Sequence, residues 1–309
     1  VNLTSEVPLL ELTPIERVKA YVALMKLRVV ELLLITTVPT MVVAKGGWPS
    51  LALVLWTLLG GTLAAGGANA INMVIDRDID RLMERTKKRP LVVGAMTPRA
   101  AFIFALAIEA AAFIQLALTV NLLSAVLAVS ATAFYVFIYT LWLKRRSKQN
   151  IVIGGAAGAV PVLVGWAAVT NSLSWVPVLM FAVIFIWTPP HFWALAVRYR
   201  DDYAAADVPM LPVVASMERT AVEILAYTVV LVASTALLGA VAHLGWIYTV
   251  TALVLGVVFI GGCVKLLQLA RAHRAAEKEA MRLFSFSITY LTVLFVAMAA
   301  DVLILGPTK

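Results

Sequence analysis

Charge is scarce in this 309-residue chain: 14% of its residues are Asp, Glu, Lys or Arg, and 62% are hydrophobic. A soluble domain carries about 25% charged and about 45–50% apolar residues, so a soluble globular enzyme, a disordered chain and a fibrous one are all excluded. The single cysteine, Cys263, excludes a disulfide framework and a thiolate metal cluster. Histidine occurs only three times, and the 17 acidic residues are outnumbered by 25 basic ones, for a formal net charge of +8. That excess would suit nucleic acid only if the cations shared one soluble face, and they do not.

What the chain has instead is long runs free of Lys, Arg, Asp and Glu: Gly46–Ile75, Gln149–Val197 and Ile224–Val264. A membrane-crossing helix needs about 20 apolar residues, so the first run holds one span and each of the others two. The breaks fall at Asn171-Ser172 and at His243-Leu244-Gly245. With Val29–Ala44, Ala101–Leu118, Leu123–Leu143 and Leu283–Leu305, the sequence predicts an all-α, polytopic membrane protein of nine transmembrane helices. No soluble domain interrupts it, so 1–309 reads as one intramembrane domain, with 1–26 as a cytoplasmic N-terminal segment. Glu6, Glu11 and Glu16 fit neither a secretory signal nor a mitochondrial transit peptide, which points to a bacterial plasma membrane.

The basic residues orient the bundle. Before helix 1 lie Arg17, Lys19, Lys26 and Arg28, and most of the others follow the even-numbered helices; only Lys45 and Lys309 fall on the opposite side. Lys and Arg mark the cytoplasmic side, which puts the N-terminus and the four even-numbered loops inside and the C-terminus outside. Topology explains the +8, and no nucleic-acid partner is expected. The loops after helices 2 and 6 are also the long ones, and long loops in a compact protein are usually functional. Gly61-xxx-Ala65 and Gly154-xxx-Gly158 are small-residue patterns of closely packed helices.

Six of the seven aspartates fall in those two loops: Asp76, Asp78 and Asp80, then Asp201, Asp202 and Asp207; Asp301 stands apart. Asn72, Asp76 and Asp80 are spaced i, i+4, i+8, which on a helix gives one face rising about 12 Å. Oxygen-bearing side chains that repel one another gain little there unless a cation sits between them, and Mg²⁺ takes one or two carboxylates together with substrate phosphates. Asp78 points elsewhere, toward arginines. Either cluster alone fits a solvated loop face, and Asp201-Asp202 beside Arg198 and Arg200 fits a surface salt-bridge knot. Two such clusters on one membrane face, each flanked by Arg, fit Mg²⁺ and a diphosphate, with Arg supplying bidentate hydrogen bonds.

Buried polar residues add candidates. His191 is the only histidine within a predicted span, after Pro189-Pro190, which should kink helix 6; it is either a haem contact or a core histidine bonded to a neighbouring helix. Arg85, Thr86 and Arg89 reach either an anionic substrate or anionic lipid. Glu31 and Glu109 lie inside predicted spans, where an ionisable side chain is a functional candidate by default; Glu31 suits a cavity wall and Glu109 a hydrogen bond to protein.

Asn72-x-x-x-Asp76-x-x-x-Asp80, the second Asp-rich loop and nine spans resemble the UbiA-type intramembrane prenyltransferases. Longer strings resemble the haem-prenylating members of that superfamily: Asp76-Arg-Asp-Ile-Asp80-Arg-Leu-Met-Glu-Arg85-Thr86-x-x-Arg89-Pro90, Tyr139-x-x-x-x-Lys144-Arg145-Arg146, Asn150-Ile-Val-Ile-Gly-Gly, Trp187-Thr-Pro-Pro-His191-Phe-Trp193, and Asp202-Tyr203 followed by Val208-Pro-Met-Leu-Pro-Val. The resemblance runs from about Leu27 to Arg219, and Asp207 departs from it where a small or uncharged residue is expected. It implies transfer of a farnesyl group from farnesyl diphosphate to a vinyl group of haem B, with Mg²⁺ as cofactor, in a central cavity that opens to the cytoplasmic side and to membrane lipid. Mg²⁺ would be held by Asn72, Asp76, Asp80 and Asp202, with Asp201. Arg81, Arg85, Lys144 and Arg145 would stabilise the leaving diphosphate, with Thr86, Arg89, Tyr139, His191 and Tyr203 completing the substrate contacts. Haem A synthase or terminal oxidase assembly proteins would be partners. A prenyltransferase acting on a quinone precursor shares the Asp clusters. A secondary transporter predicts charges at mid-membrane depth, which helices 5 to 8 lack through most of their length.

Overall fold

The chain turns where short polar breaks interrupt its apolar runs. In the computed structural model, which describes residues 3 and 7–306 (backbone only at 28–29 and 31–34), every regular element among the described residues is helical. Two elements precede the first long run, α1 (Pro14–Leu24) and α2 (Leu27–Lys45). The first Asp cluster follows α3 (Leu51–Ile75) and includes α4 (Arg77–Asp80); α5 (Pro98–Thr119) and α6 (Leu122–Ala133) come next. From Phe134 to Leu143, α6 continues with π-helical winding. The two longest runs form α7 (Asn150–Thr170) and α8 (Trp175–Arg198), then α11 (Met217–Val241) and α12 (Trp246–Arg271). Between these pairs lie the short α9 (Arg200–Ala205) and α10 (Leu211–Val214), and α13 (Glu277–Leu305) ends the fold.

Local chemistry sets these boundaries. Ser50, Thr97, Asn121 and Ser216 each accept a hydrogen bond from a backbone N–H in the first turn of the helix that follows, which satisfies donors with no partner inside the helix. At the predicted breaks, Asn171 and His243 take left-handed backbone, with φ 49° and 50°, and stop α7 and α11. Pro189-Pro190 lies inside α8, which runs on through the pair. Freed carbonyls are tolerated in a bundle whose neighbours re-satisfy them.

Eight helices among the described residues are long and apolar enough to cross a membrane. The remaining predicted span, Val29–Ala44, falls in α2, where the side chain of Glu31 lies outside the described residues. Neighbours in sequence pack side by side around the bundle, and α13 closes on α2. The largest core joins α7, α8, α11, α12 and α13 around Tyr248, Phe259, Tyr290 and Phe295. Leu253, Val254, Val257 and Val258 of α12 face outward, as lipid-facing side chains do.

The isolated Asp301 has a structural task. It is 2% exposed, and its carboxylate accepts the backbone N–H groups of Gly245 and, at 3.1 Å, Tyr248, capping α12 from a distant helix. Replacing Asp301 with Ala strands both donors and should cost about 1–2 kcal/mol. A lowered melting temperature of the detergent-solubilised protein would register that loss, and an unchanged one would contradict the cap.

Candidate active site

The first Asp cluster does not lie on one continuous helix. The α-helix stops at Ile75, and Asp76, with φ −88° and ψ 3°, separates α3 from α4. Arg77 turns back to donate to the carbonyl of Val74 at 2.9 Å, so a side chain competes for the helix end. The spacing survives the break, because Asp76 N–H donates to the Asn72 carbonyl and Asp80 N–H to the Asp76 carbonyl, both at 2.9 Å. Asn72, Asp76 and Asp80 remain together and are 2%, 0% and 0% exposed.

Cations from three other parts of the chain meet them. Lys144, which ends the π-helical stretch, pairs with Asp76, and Arg89 donates to Asp80 Oδ2 at 2.6 Å. Asn72 Nδ2 donates to Asp76 Oδ2 at 2.6 Å and to Thr140 Oγ1 at 3.2 Å, while its Oδ1 accepts from Lys26 Nζ at 3.0 Å. Asp78 faces away, as expected, and takes a two-pronged bond from Arg145 at 2.6 Å for each oxygen. Burial, then the charges of Arg89 and Lys144, pull the Lys26 ammonium down to about 7. Burial pulls Lys144 down as well, but Asp76, Tyr139 and Asp80 together outweigh it and hold that ammonium above its usual value. π-Helical winding is rare and concentrates at functional sites; here it carries Tyr139, Thr140 and Lys144 to the cluster, with Lys144 N–H bonded to the Tyr139 carbonyl at 2.8 Å.

The second loop closes over the first without forming one acidic cage. Asp202 accepts the backbone N–H groups of Glu84 and Arg85 at 3.3 and 3.2 Å, in place of the salt-bridge knot, and Asp201 is exposed. Ile79 and Met83 of the first loop share an apolar cluster with Tyr203, Val208 and Met210 of the second. Arg85 lies over the Tyr199 ring at 5.6 Å, Thr86 donates to the Asp80 carbonyl at 2.8 Å, and Arg81 sits half-buried just beyond α4. Asp207 has φ 51°, a left-handed position that Gly, Asn and Asp tolerate best.

The other candidates spread along the bundle. Gly154 admits the ring of Tyr139, which a Cβ there would approach to 2.3 Å, whereas Gly158 faces open space. Glu109 Oε1 accepts from Thr132 at 3.0 Å, beside a groove of about 520 Å³ lined by Ile71, Phe102, Leu106 and Phe113. That apolar groove is no place for a diphosphate. His191, 6% exposed, lies in the wall between α8 and α13: its ring stacks on Trp187 at 4.2 Å and tilts against Phe284 at 4.7 Å, with Nδ1 2.7 Å from Ser287 Oγ.

Whether the donors fit Mg²⁺ turns on unsatisfied oxygens. Among the described residues no three His, Cys, Asp or Glu side chains gather as a metal cage. Asp76 Oδ1 and Asp80 Oδ1, however, are buried without a hydrogen-bond partner, an arrangement that native proteins otherwise avoid. Two carboxylates with open oxygens suit a cation that takes its remaining ligands from phosphate and water. Lys26 and Thr140 were not singled out from sequence; the one sat among ordinary basic residues and the other among many span threonines.

A helical membrane bundle with buried Asp, Lys and Arg under two interlocked loops is the frame of an intramembrane prenyl-transfer enzyme, and the chain belongs to the UbiA prenyltransferase family, whose profile matches residues 33–301. A relative from Parafrankia sp. (strain EAN1pec), 56% identical over 94% of this chain and 92% of its own length, is named protoheme IX farnesyltransferase. Solved structures share the fold. The apo UbiA homologue from Aeropyrum pernix K1 has a TM-score of 0.66 and 22% identity over 87% of this chain and 98% of its own. The UbiA homologue from Archaeoglobus fulgidus, solved with GPP and Mg²⁺, has a TM-score of 0.61 and 18% identity, covering 90% of this chain and 99% of its own.

Proposed function

We propose that this chain transfers the farnesyl group of farnesyl diphosphate to a vinyl group of haem B, with addition of water. The observation that carries it is near-full-length identity of 56% to a protein named protoheme IX farnesyltransferase, joined to the buried carboxylates and cations at one end of the bundle. Asp76 and Asp80 would hold Mg²⁺, with Asn72 fixing Asp76; when bound, the ion neutralises the diphosphate as a Lewis acid. Lys144, Arg89 and Lys26 stabilise the negative charge that grows as the C–O bond breaks and its electron pair leaves with the diphosphate. A new C–C bond forms at the vinyl terminus, water oxygen adds to the adjacent carbon, and a proton is released. The allylic cation must meet the vinyl carbon before bulk water. Ile79, Met83, Tyr203, Val208 and Met210 form an apolar cover, tied shut by Asp202, that excludes that water.

In this reading the chain forms one intramembrane domain of nine spans, with this end and the cavity mouth at the cytoplasmic face of a bacterial plasma membrane, the N-terminus inside and the C-terminus outside; the excess of Lys and Arg at the loops supports that orientation. Arg81, Arg85 and Arg145 line the loop rim, where they steer anionic substrate. The product then suits haem A synthase or terminal oxidase assembly proteins as recipients. Supplying labelled farnesyl diphosphate and Mg²⁺ with haem B in one reaction and 4-hydroxybenzoate in another separates the two acceptor classes. Label in haem alone is the expected result; label only in the phenol would replace haem with a quinone precursor.

A further inference from the structure

We infer that Ser287 fixes the orientation and tautomer of His191 so that the Nε2 lone pair of His191 ligates the iron of the haem acceptor, an inference that rests on the haem reading above. The Ser287 hydroxyl has one proton, and it donates that proton to the Phe284 carbonyl at 2.6 Å. Toward His191, 2.7 Å away, the same oxygen can therefore only accept, so Nδ1 carries the imidazole proton and Nε2 the lone pair. Trp187 Nε1 donates to the Ser287 carbonyl at 2.8 Å, which ties the indole stacked on His191 to the same residue. With Trp187 and Phe284 against its faces and Phe192 edge-on at 5.1 Å, the imidazole plane is locked.

No bond to Nε2 occurs among the described residues, although His191 keeps 6% of its surface open. A histidine used only for packing buries both nitrogens against partners, whereas Nε2 here lies on the part of the ring that stays open. One that donates through Nδ1 and leaves Nε2 free has the arrangement of a metal ligand with its outer partner in place. The seven residues from His191 to Arg198 set the imidazole about 10 Å along α8 from the second loop.

The test uses full-length protein in nanodiscs with haem B alone, reduced to the ferrous state and read by resonance Raman and absorption. Wild type should show an iron–histidine stretch that His191→Gly loses and added imidazole restores, which also reports that the variant is folded. Ser287→Ala should weaken haem binding about tenfold and lower the stretching frequency, with Ser287→Thr returning both toward wild type. An unchanged spectrum in either His191→Gly or Ser287→Ala overturns the inference. Wild type that farnesylates haem without any histidine signature would overturn it too, while leaving the haem reading intact. Haem that is neither bound nor prenylated would remove both.

Discussion

Asp76→Asn should reduce prenyl transfer by at least about a hundredfold, the scale of losing one electrostatic group aimed at developing charge. The substitution is nearly isosteric, and Asn tolerates the backbone that Asp76 adopts between α3 and α4. Its amide can still accept from Lys144, so the local fold has reason to persist. What disappears is the negative charge, and with it the open oxygen, Oδ1, buried without a hydrogen-bond partner. Turnover measured beside the melting temperature separates the two effects. Near-normal turnover in a folded variant would remove Asp76 from the metal site and with it the main support for Asp80.

The second large effect concerns the partner. Lys144→Met should destabilise the protein by about 3–5 kcal/mol without metal, because a buried carboxylate loses its one close hydrogen-bonded charge. Asp76 is 0% and Lys144 12% exposed in their side chains, and Arg145 approaches the Asp76 carboxylate only to 3.8 Å. In EDTA the melting temperature should fall by several degrees. Mg²⁺ should recover part of the loss by supplying the missing positive charge. Combining Lys144→Met with Asp76→Asn should melt higher than Lys144→Met alone, since no unpaired charge is then buried. Equal melting of wild type and Lys144→Met in EDTA would mean that the pair is solvated and does no structural work.

The pattern of stability and activity follows from what local sequence can and cannot encode. Helical spans and their breaks are local: Asn171 and His243 sit at the ends of apolar runs and adopt the left-handed backbone that ends a helix. The two acidic loops are readable for the same reason, as rare charges in an apolar chain. Partner choice is not local. Lys26 reaches Asn72 across 46 residues and Lys144 reaches Asp76 across 68; nothing in either string names the other. Asp202 shows the limit from another side, because its bonds go to the backbone of Glu84 and Arg85, which has no sequence signature. Ser287 was invisible in an unremarkable final helix until its contact with His191 gave it a task.

The break at Asp76 shows why the periodicity still located the site. An i, i+4, i+8 pattern requires consecutive turns to stack, and the two 2.9 Å backbone bonds through Asp76 preserve that stacking where the regular helix ends. The π-helical winding before Lys144 has no comparable sequence signal. Within it Tyr139 fits against Gly154 of the neighbouring helix, a contact between elements that neither string announces.

The most direct measurement is the mass of haem after incubation of the purified protein with haem B, farnesyl diphosphate and Mg²⁺ in lipid. Haem should gain one farnesyl group and the elements of water, the gain should vanish with EDTA, and excess Mg²⁺ should restore it. Unmodified haem alongside a prenylated quinone precursor, or a haem product that forms equally well in EDTA, would contradict the account.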